Sequence, residues 1–410
     1  MKILKNIKAL YLVEEQNPSF KKGEAMNQIN TIEHAFLVIE GERIANFGKM
    51  SDLIDQNWTE VIDCTDQYVL PTFVDSHSHI VYAGTREGEF IDKINGLSYE
   101  EIAAKGGGIL NSAEKLRKAT ENELFEQSMV RAQEVITTGT GALEIKSGYG
   151  LSVESEMKML RVIQRIKEES DLSIKATFLG AHAYPKEYKD NKRGYLDLII
   201  KEMIPNIAKE KLADYIDVFC ESNYFSVEET IEIMDAGKNH GLIPKIHVNQ
   251  FTSIGGIQAC VQHGALSVDH LEILTDEDIE ALKTGNTIPT ILPACSLFIE
   301  IPYGPGKKLI ENGLGFALAT DYNPGSSPCG NMQLVMSLAC IKMKISPNAA
   351  LNASTINGAY AMNLEHELGS ITKGKLANLI ITNKIPSVGF IPYSFGTNDV
   401  AKVILKGKIQ

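Results

Sequence analysis

Eight apolar runs of strand length, separated by stretches of helical periodicity, constrain the fold of this chain more than any other feature. They fall at residues 69–75, 141–145, 174–180, 215–220, 243–248, 265–269, 287–292 and 315–320. Runs without polar alternation suit strands buried on both faces, and such strands alternating with helices suit a parallel sheet. Eight of them predict an α/β fold of the (β/α)8 type, a TIM-like barrel. Helix starts between the runs are legible from their caps. Thr120 with Glu123 and Ser226 with Glu229 are capping boxes, and Ser346 stands before Pro347 as an N-cap before a proline. Met157, Leu160, Ile163 and Ile166 recur at helical spacing, the mark of a face packed on the barrel.

The two ends differ in character from the middle. MKILKNIKALYLV, HAFLVIEGERIANFG and EVIDCTDQYVLP at one end, and GSITKGKLANLIITN and VAKVILKGK at the other, read as short strands. The expected organisation is a small β-sandwich domain from residues 1–66 plus 372–410 around a catalytic barrel at 67–371. With 44% hydrophobic and 22% charged residues, the chain is neither disordered nor a disulfide scaffold. A formal net charge of -12 argues against nucleic acid and anionic membranes as partners. The apolar stretch at 288–303 is broken by Pro289, Pro293 and Pro302 and is shorter than a membrane span. The six cysteines are scattered without a C-x-x-C pair, which suits free thiols and a cytoplasmic location.

Candidate chemistry gathers where the strands end. His77-Ser78-His79 follows the first run, and two residues two apart on an extended segment share a face. At the C-terminal end of a barrel strand that face looks into the mouth where such barrels carry their sites. His247 closes the fifth run, His270 follows the sixth and Asp321 follows the eighth. Three imidazoles and a carboxylate suit one zinc or iron ion with room left for a water. Such an ion activates the water and polarises a carbonyl, and Asp321 can also take the water's proton.

The order H-x-H, His, His, Asp at successive strand ends resembles the amidohydrolase superfamily of metal-dependent hydrolases. The GSITKGKLANLIIT return is similar to that family's, with Asn378 where an aspartate is more usual. The resemblance implies His77, His79, His247 and Asp321 as ligands of one metal, and His270 as an aid to the chemistry. Four longer strings, SYEEIAAKGGGI, EIKSGYGL, FLGAHAYPKEY and ATDYNPGSSP, narrow the resemblance. They are similar to members that hydrolyse the cyclic amide of 4-imidazolone-5-propanoate to N-formimidoyl-L-glutamate in histidine degradation.

Carried over position by position, that resemblance implies a substrate pocket. Arg86 would meet the substrate, and a guanidinium suits an anionic propionate tail. Tyr99, Tyr149 and His182 would line the pocket, and Asn323, Gly325 and Ser326 would bind product or substrate oxygens. Gln250 matches a position filled by glutamate or glutamine. Related deaminases carry a proton-shuttling glutamate there, so Gln250 speaks against a deaminase of cytosine- or guanine-like rings and leaves proton transfer to His270 and Asp321. A catalytically dead scaffold would be expected to lose the metal ligands, yet all four are present. The glycine triplet at 106–108 lacks the ending of a phosphate cradle and suits a loop over the mouth instead. The resemblance also implies a homodimer acting on a small molecule.

Overall fold

Eight parallel strands stand side by side in chain order in the computed structural model, which describes residues 1–15, 19–54, 56–97, 101 and 107–410. Barrel strands one to eight are Phe73–Asp75, Thr140–Lys146, Ser173–Ala181, Tyr215–Cys220, Ile243–Val248, Ser267–His270, Ile288–Ile291 and Ala317–Leu318. Strands two and four are buried at every residue, which is why their sequences show no alternation. The ring closes by hydrogen bonds between the first and last strand ends. Asp321 N donates to His77 O at 3.0 Å, and His79 N donates to Tyr322 O at 2.9 Å. Thr320 donates through its N and Oγ1 to the Asp75 carboxylate at 3.0 and 2.6 Å.

The chain ends join in a separate mixed sheet. Its hydrogen-bonded order is Lys408–Ile409, Val400–Leu405, Leu379–Thr382, Tyr68–Pro71, Lys2–Tyr11, Thr31–Glu40 and Arg43–Lys49, with Glu60–Asp63 also paired to Lys2–Tyr11. The run at 69–75 is therefore not one barrel strand. Its first half belongs to the terminal sheet, past residue 66, and only Phe73–Asp75 enters the barrel. The handover occurs within one peptide: Thr72 N donates to Asn378 O at 3.0 Å, and Phe73 N donates to Gly139 O at 2.9 Å. Both sheets bury the run, and Thr72 at the crossing is itself buried, so no exposed residue marks it. Asn378 serves the seam further, its Oδ1 accepting from Lys406 N at 2.8 Å.

The helix signals are borne out. Thr120 caps Glu121–Thr137 and Ser226 caps Val227–Asn239, each with both bonds of a capping box. Ser346 Oγ accepts from Ala349 N at 3.1 Å ahead of Pro347–Ala353. Met157, Leu160, Ile163 and Ile166 are buried along Val153–Glu169. Thr275 with Asp278 makes a third box, illegible because its third position is aspartate rather than glutamate. No helix among the described residues is long and apolar enough to cross a membrane.

Candidate functional site

The segment after barrel strand one is gripped on both sides, and the grip aims its histidines. Ser78 Oγ donates to Glu144 O at 2.6 Å, and Lys146 N donates to Ser78 O at 2.8 Å. With Ser78 turned to strand two, the alternation of an extended chain turns His77 and His79 the other way, into the mouth. Their Nε2 atoms lie 3.3 Å apart. Each is 3.5 Å from Asp321 Oδ1. His247 joins them, its ring centroid 4.4 Å from that of His77. One ligand atom from each of His77, His79 and His247 lies within 4.8 Å of the others. Asp321 takes a left-handed backbone, φ 53°, to bring its carboxylate inward, and His270 has φ 92°. Unfavourable backbone at two such neighbours is a familiar accompaniment of functional sites.

The outer nitrogens of two histidines are fixed by buried carboxylates. His77 Nδ1 lies 2.7 Å from Asp269 Oδ2, and His247 Nδ1 lies 2.7 Å from Asp217 Oδ2. An Nδ1–H given to a carboxylate leaves the Nε2 lone pair free to face a cation. Burial, together with Lys146 and the neighbouring imidazoles, holds His77 and His247 well below the usual histidine range. Burial does the same to His79, with His247 and His182 adding to it. Neutral imidazoles are what a metal requires. The donors gathered from His77, His79, His247 and Asp321 therefore fit a metal ion.

Two groups at this centre have proton affinities shifted by their surroundings. Burial pushes Asp321 up to about 6. Burial alone would lower His270, but the adjacent Glu272 outweighs it and raises the imidazole. His270 Nδ1 lies 3.3 Å from Glu272 Oε1, and Ser296 Oγ donates to the same oxygen at 3.3 Å.

The expected pocket residues converge on the same mouth, with one exception. The His182 ring stacks on His79 at 5.6 Å and 15°, and the Tyr149 ring lies 5.5 Å from His182. His182 Nδ1 donates to Gly148 O at 3.0 Å, and burial lowers this imidazole to about 4. Arg86 donates through Nε and Nη2 to Glu89 Oε2 at 2.8 and 2.6 Å. Its Nη1 lies over Gly325, where an added Cβ would come within 2.0 Å of it. Asn323 spends its polar atoms on its own loop: Oδ1 accepts from Gly325 N and Ser326 N at 2.8 Å, and Nδ2 donates to Asp321 O at 2.6 Å. Ser326 Oγ is 3.4 Å from Asp321 Oδ2. Gln250 is buried, with Nε2 3.6 Å from Cys295 Sγ. Tyr99 and Gly106 lie outside the described residues. Gly108 N donates to Glu89 at 3.1 Å, tying the end of the glycine triplet to the partner of Arg86.

Reading strand ends missed what lies beneath them. Asp217, Asp269 and Glu144 sit inside the expected apolar runs, and Lys146 closes the second barrel strand one residue past its run. The available signal was a charge inside a buried strand, which is unusual unless it is paired.

The amidohydrolase family model matches residues 68–410. An imidazolonepropionase of Christiangramia forsetii is 57% identical over 407 residues, covering 99% of both chains. Another, of Flavobacterium johnsoniae, is 58% identical over 407 residues with the same coverage. Among solved structures, a triazine hydrolase variant superposes with a TM-score of 0.77 at 13% identity, covering 100% of this chain and 94% of that one. A mutant atrazine chlorohydrolase of Arthrobacter aurescens, complexed with zinc and atraton, gives a TM-score of 0.73 at 13% identity, covering 100% and 95%. Likeness at that identity carries the fold.

Proposed function

The chain belongs to the amidohydrolase family, and from that premise and its end-to-end match to imidazolonepropionases we propose that it hydrolyses the cyclic amide of 4-imidazolone-5-propanoate to N-formimidoyl-L-glutamate. The observation that carries the reading is the convergence of His77, His79, His247 and Asp321 on one point, with two outer nitrogens fixed from behind. A zinc or iron ion in that donor set supplies a Lewis acid that polarises the ring carbonyl and acidifies a water.

The side chains divide the remaining work. Arg86 offers Nη1 to the propionate while Glu89 steadies Nε and Nη2. His182 and Tyr149 wall the ring, and the Gly325–Ser326 turn brings backbone close to its oxygens. Water oxygen bonds to the ring carbonyl carbon, and the C–N bond to the ring nitrogen then breaks. Asp321 takes the water's proton at Oδ2 and returns it to the departing nitrogen. His270, whose proton affinity Glu272 raises, would stabilise the oxygen on which negative charge develops. Gln250 cannot titrate, so it orients rather than shuttles. The setting is a small-molecule enzyme of the cytoplasm.

The test is the loss of ultraviolet absorbance of freshly made 4-imidazolone-5-propanoate. Metal-replete protein accelerates the decay, chelation lowers the rate by about 10³-fold, and zinc or iron restores it. Protein that holds metal yet leaves the decay at its spontaneous rate overturns the substrate assignment, and cytosine- and guanine-like rings become the next panel. Gly325→Ala is the companion variant. The new methyl displaces Arg86, a flexible side chain, so KM rises by roughly 10-fold to 100-fold while the melting temperature moves by less than about 2 °C. An unchanged KM would place the propionate away from Arg86.

A further inference from the structure

Beneath the histidines lies a layer of charge that the proposed reaction does not use. Glu144 and Lys146 from barrel strand two, Asp217 from strand four, Lys245 from strand five and Asp269 from strand six have side chains at 0% exposure. Lys146 is its hub. Its Nζ donates to Glu144 Oε1 at 2.6 Å and Asp217 Oδ2 at 2.9 Å, and makes an ion pair with Asp269 Oδ2 at 3.6 Å. Those two aspartate oxygens are the same atoms that hold His247 Nδ1 and His77 Nδ1. One ammonium group therefore touches both oxygens that fix the metal-facing imidazoles.

We propose that Lys146 is a positioning residue of the metal centre, holding Asp217 and Asp269 so that they hold the ring planes of His247 and His77. A carboxylate orients an imidazole only as well as it is itself oriented. The two aspartates stand on strands four and six, and Lys146 from strand two bridges them. Lys245 supports the layer from the side, 3.1 Å from Glu144 Oε2 and donating to Ser267 Oγ at 2.7 Å, which in turn donates to Asp269 Oδ1 at 2.6 Å. Outer partners of metal-bound histidines commonly account for 10-fold to 100-fold in metal affinity. Lys146 stands one step further out, yet it serves two ligands at once.

The inference rests on the donor set proposed above and not on the substrate, so its test reads metal binding. Zinc alone is competed from the full-length protein with a chromophoric chelator, and the visible spectrum of the cobalt(II)-loaded protein reports ligand geometry. Lys146→Met is expected to weaken zinc by roughly 10-fold to 100-fold and to change the cobalt bands. Glu144→Gln/Lys146→Met removes one anion with the cation and gives the same result if the single variant does not fold. Asp269→Asn, which keeps the side chain's shape, approaches the same link from the histidine side and also weakens zinc. Lys375→Met is the control: this lysine is buried and donates to Leu368 O and Ser370 Oγ at 2.8 Å, in the return to the terminal sheet. Zinc affinity and cobalt spectrum unchanged in any folded Lys146 or Asp269 variant overturn the proposal, as does an equal loss in Lys375→Met. A parent protein that binds no zinc or cobalt instead overturns the donor set itself.

Discussion

Asp321→Asn lowers the rate of 4-imidazolone-5-propanoate hydrolysis by about 10²-fold to 10⁴-fold, the range that a positioned general base contributes. The substitution keeps the shape of the side chain and removes its charge and its capacity to take a proton. It also tests the site without a folding artefact. Asp321 has φ 53°, and asparagine adopts that left-handed backbone readily, whereas alanine would be strained there. The closing bond from its N to His77 O does not involve the side chain. Steady-state kinetics beside thermal melting and metal analysis separate the contributions. A rate within about fivefold of the parent, with metal bound, would remove Asp321 from the proton path.

Arg86→Met raises KM by about 30-fold to 10³-fold, with a smaller effect on kcat. The magnitude is that of cutting one partner from a buried, hydrogen-bonded charge pair, about 2–5 kcal/mol. The guanidinium is mostly buried, with 12% of its side chain exposed, so little solvent screening is available to soften the loss. Methionine replaces the stem but not the fork. Glu89 retains bonds from Gly108 N and from Asn111 Nδ2 at 3.0 Å, so the surrounding loop keeps its own ties. An imidazolone lacking the propionate supplies the second axis: it is a poor substrate for the parent and equally poor for the variant. A variant that still discriminates between the two would move the tail to another cation.

The parts of the molecule that read clearly from sequence are those where one local rule decides the outcome. Tyr215–Cys220 and Ile243–Val248 are mainly apolar runs, and their observed ends match the expected ones. His77, His79, His247, His270 and Asp321 were legible because strand ends face the barrel mouth whatever the rest of the chain does. Strand eight was less legible. The apolar run extends over 315–320, but Asp321 turns away at positive φ and only Ala317–Leu318 keeps the ladder. The handover at Thr72 was hidden because two different sheets bury the same run. For Arg86 the sequence offers a substrate contact or a surface salt bridge, and the structure shows it paired, largely buried, with Glu89 one helical turn on. The inner charges were least visible, since the partners of Lys146 lie 2, 71 and more residues away in sequence and meet only once the barrel is closed.

The one-peptide handover at Thr72 has a bearing on when the enzyme comes to life. Tyr68 N donates to Thr382 Oγ1, a contact spanning 314 positions, and the next residues lead straight into the strand that presents His77 and His79. A nascent chain emerging from the ribosome can form helices and neighbouring strand pairs as it grows. Pairing with Lys2–Tyr11 can moor one edge of the root of strand one early, but the other edge waits until the segment around Thr382 has been synthesised and has returned across the sheet. Completion of the proposed metal site would thereby be a late maturation event, and a chain cut short before that segment would leave the root below His77 and His79 with one edge unpaired.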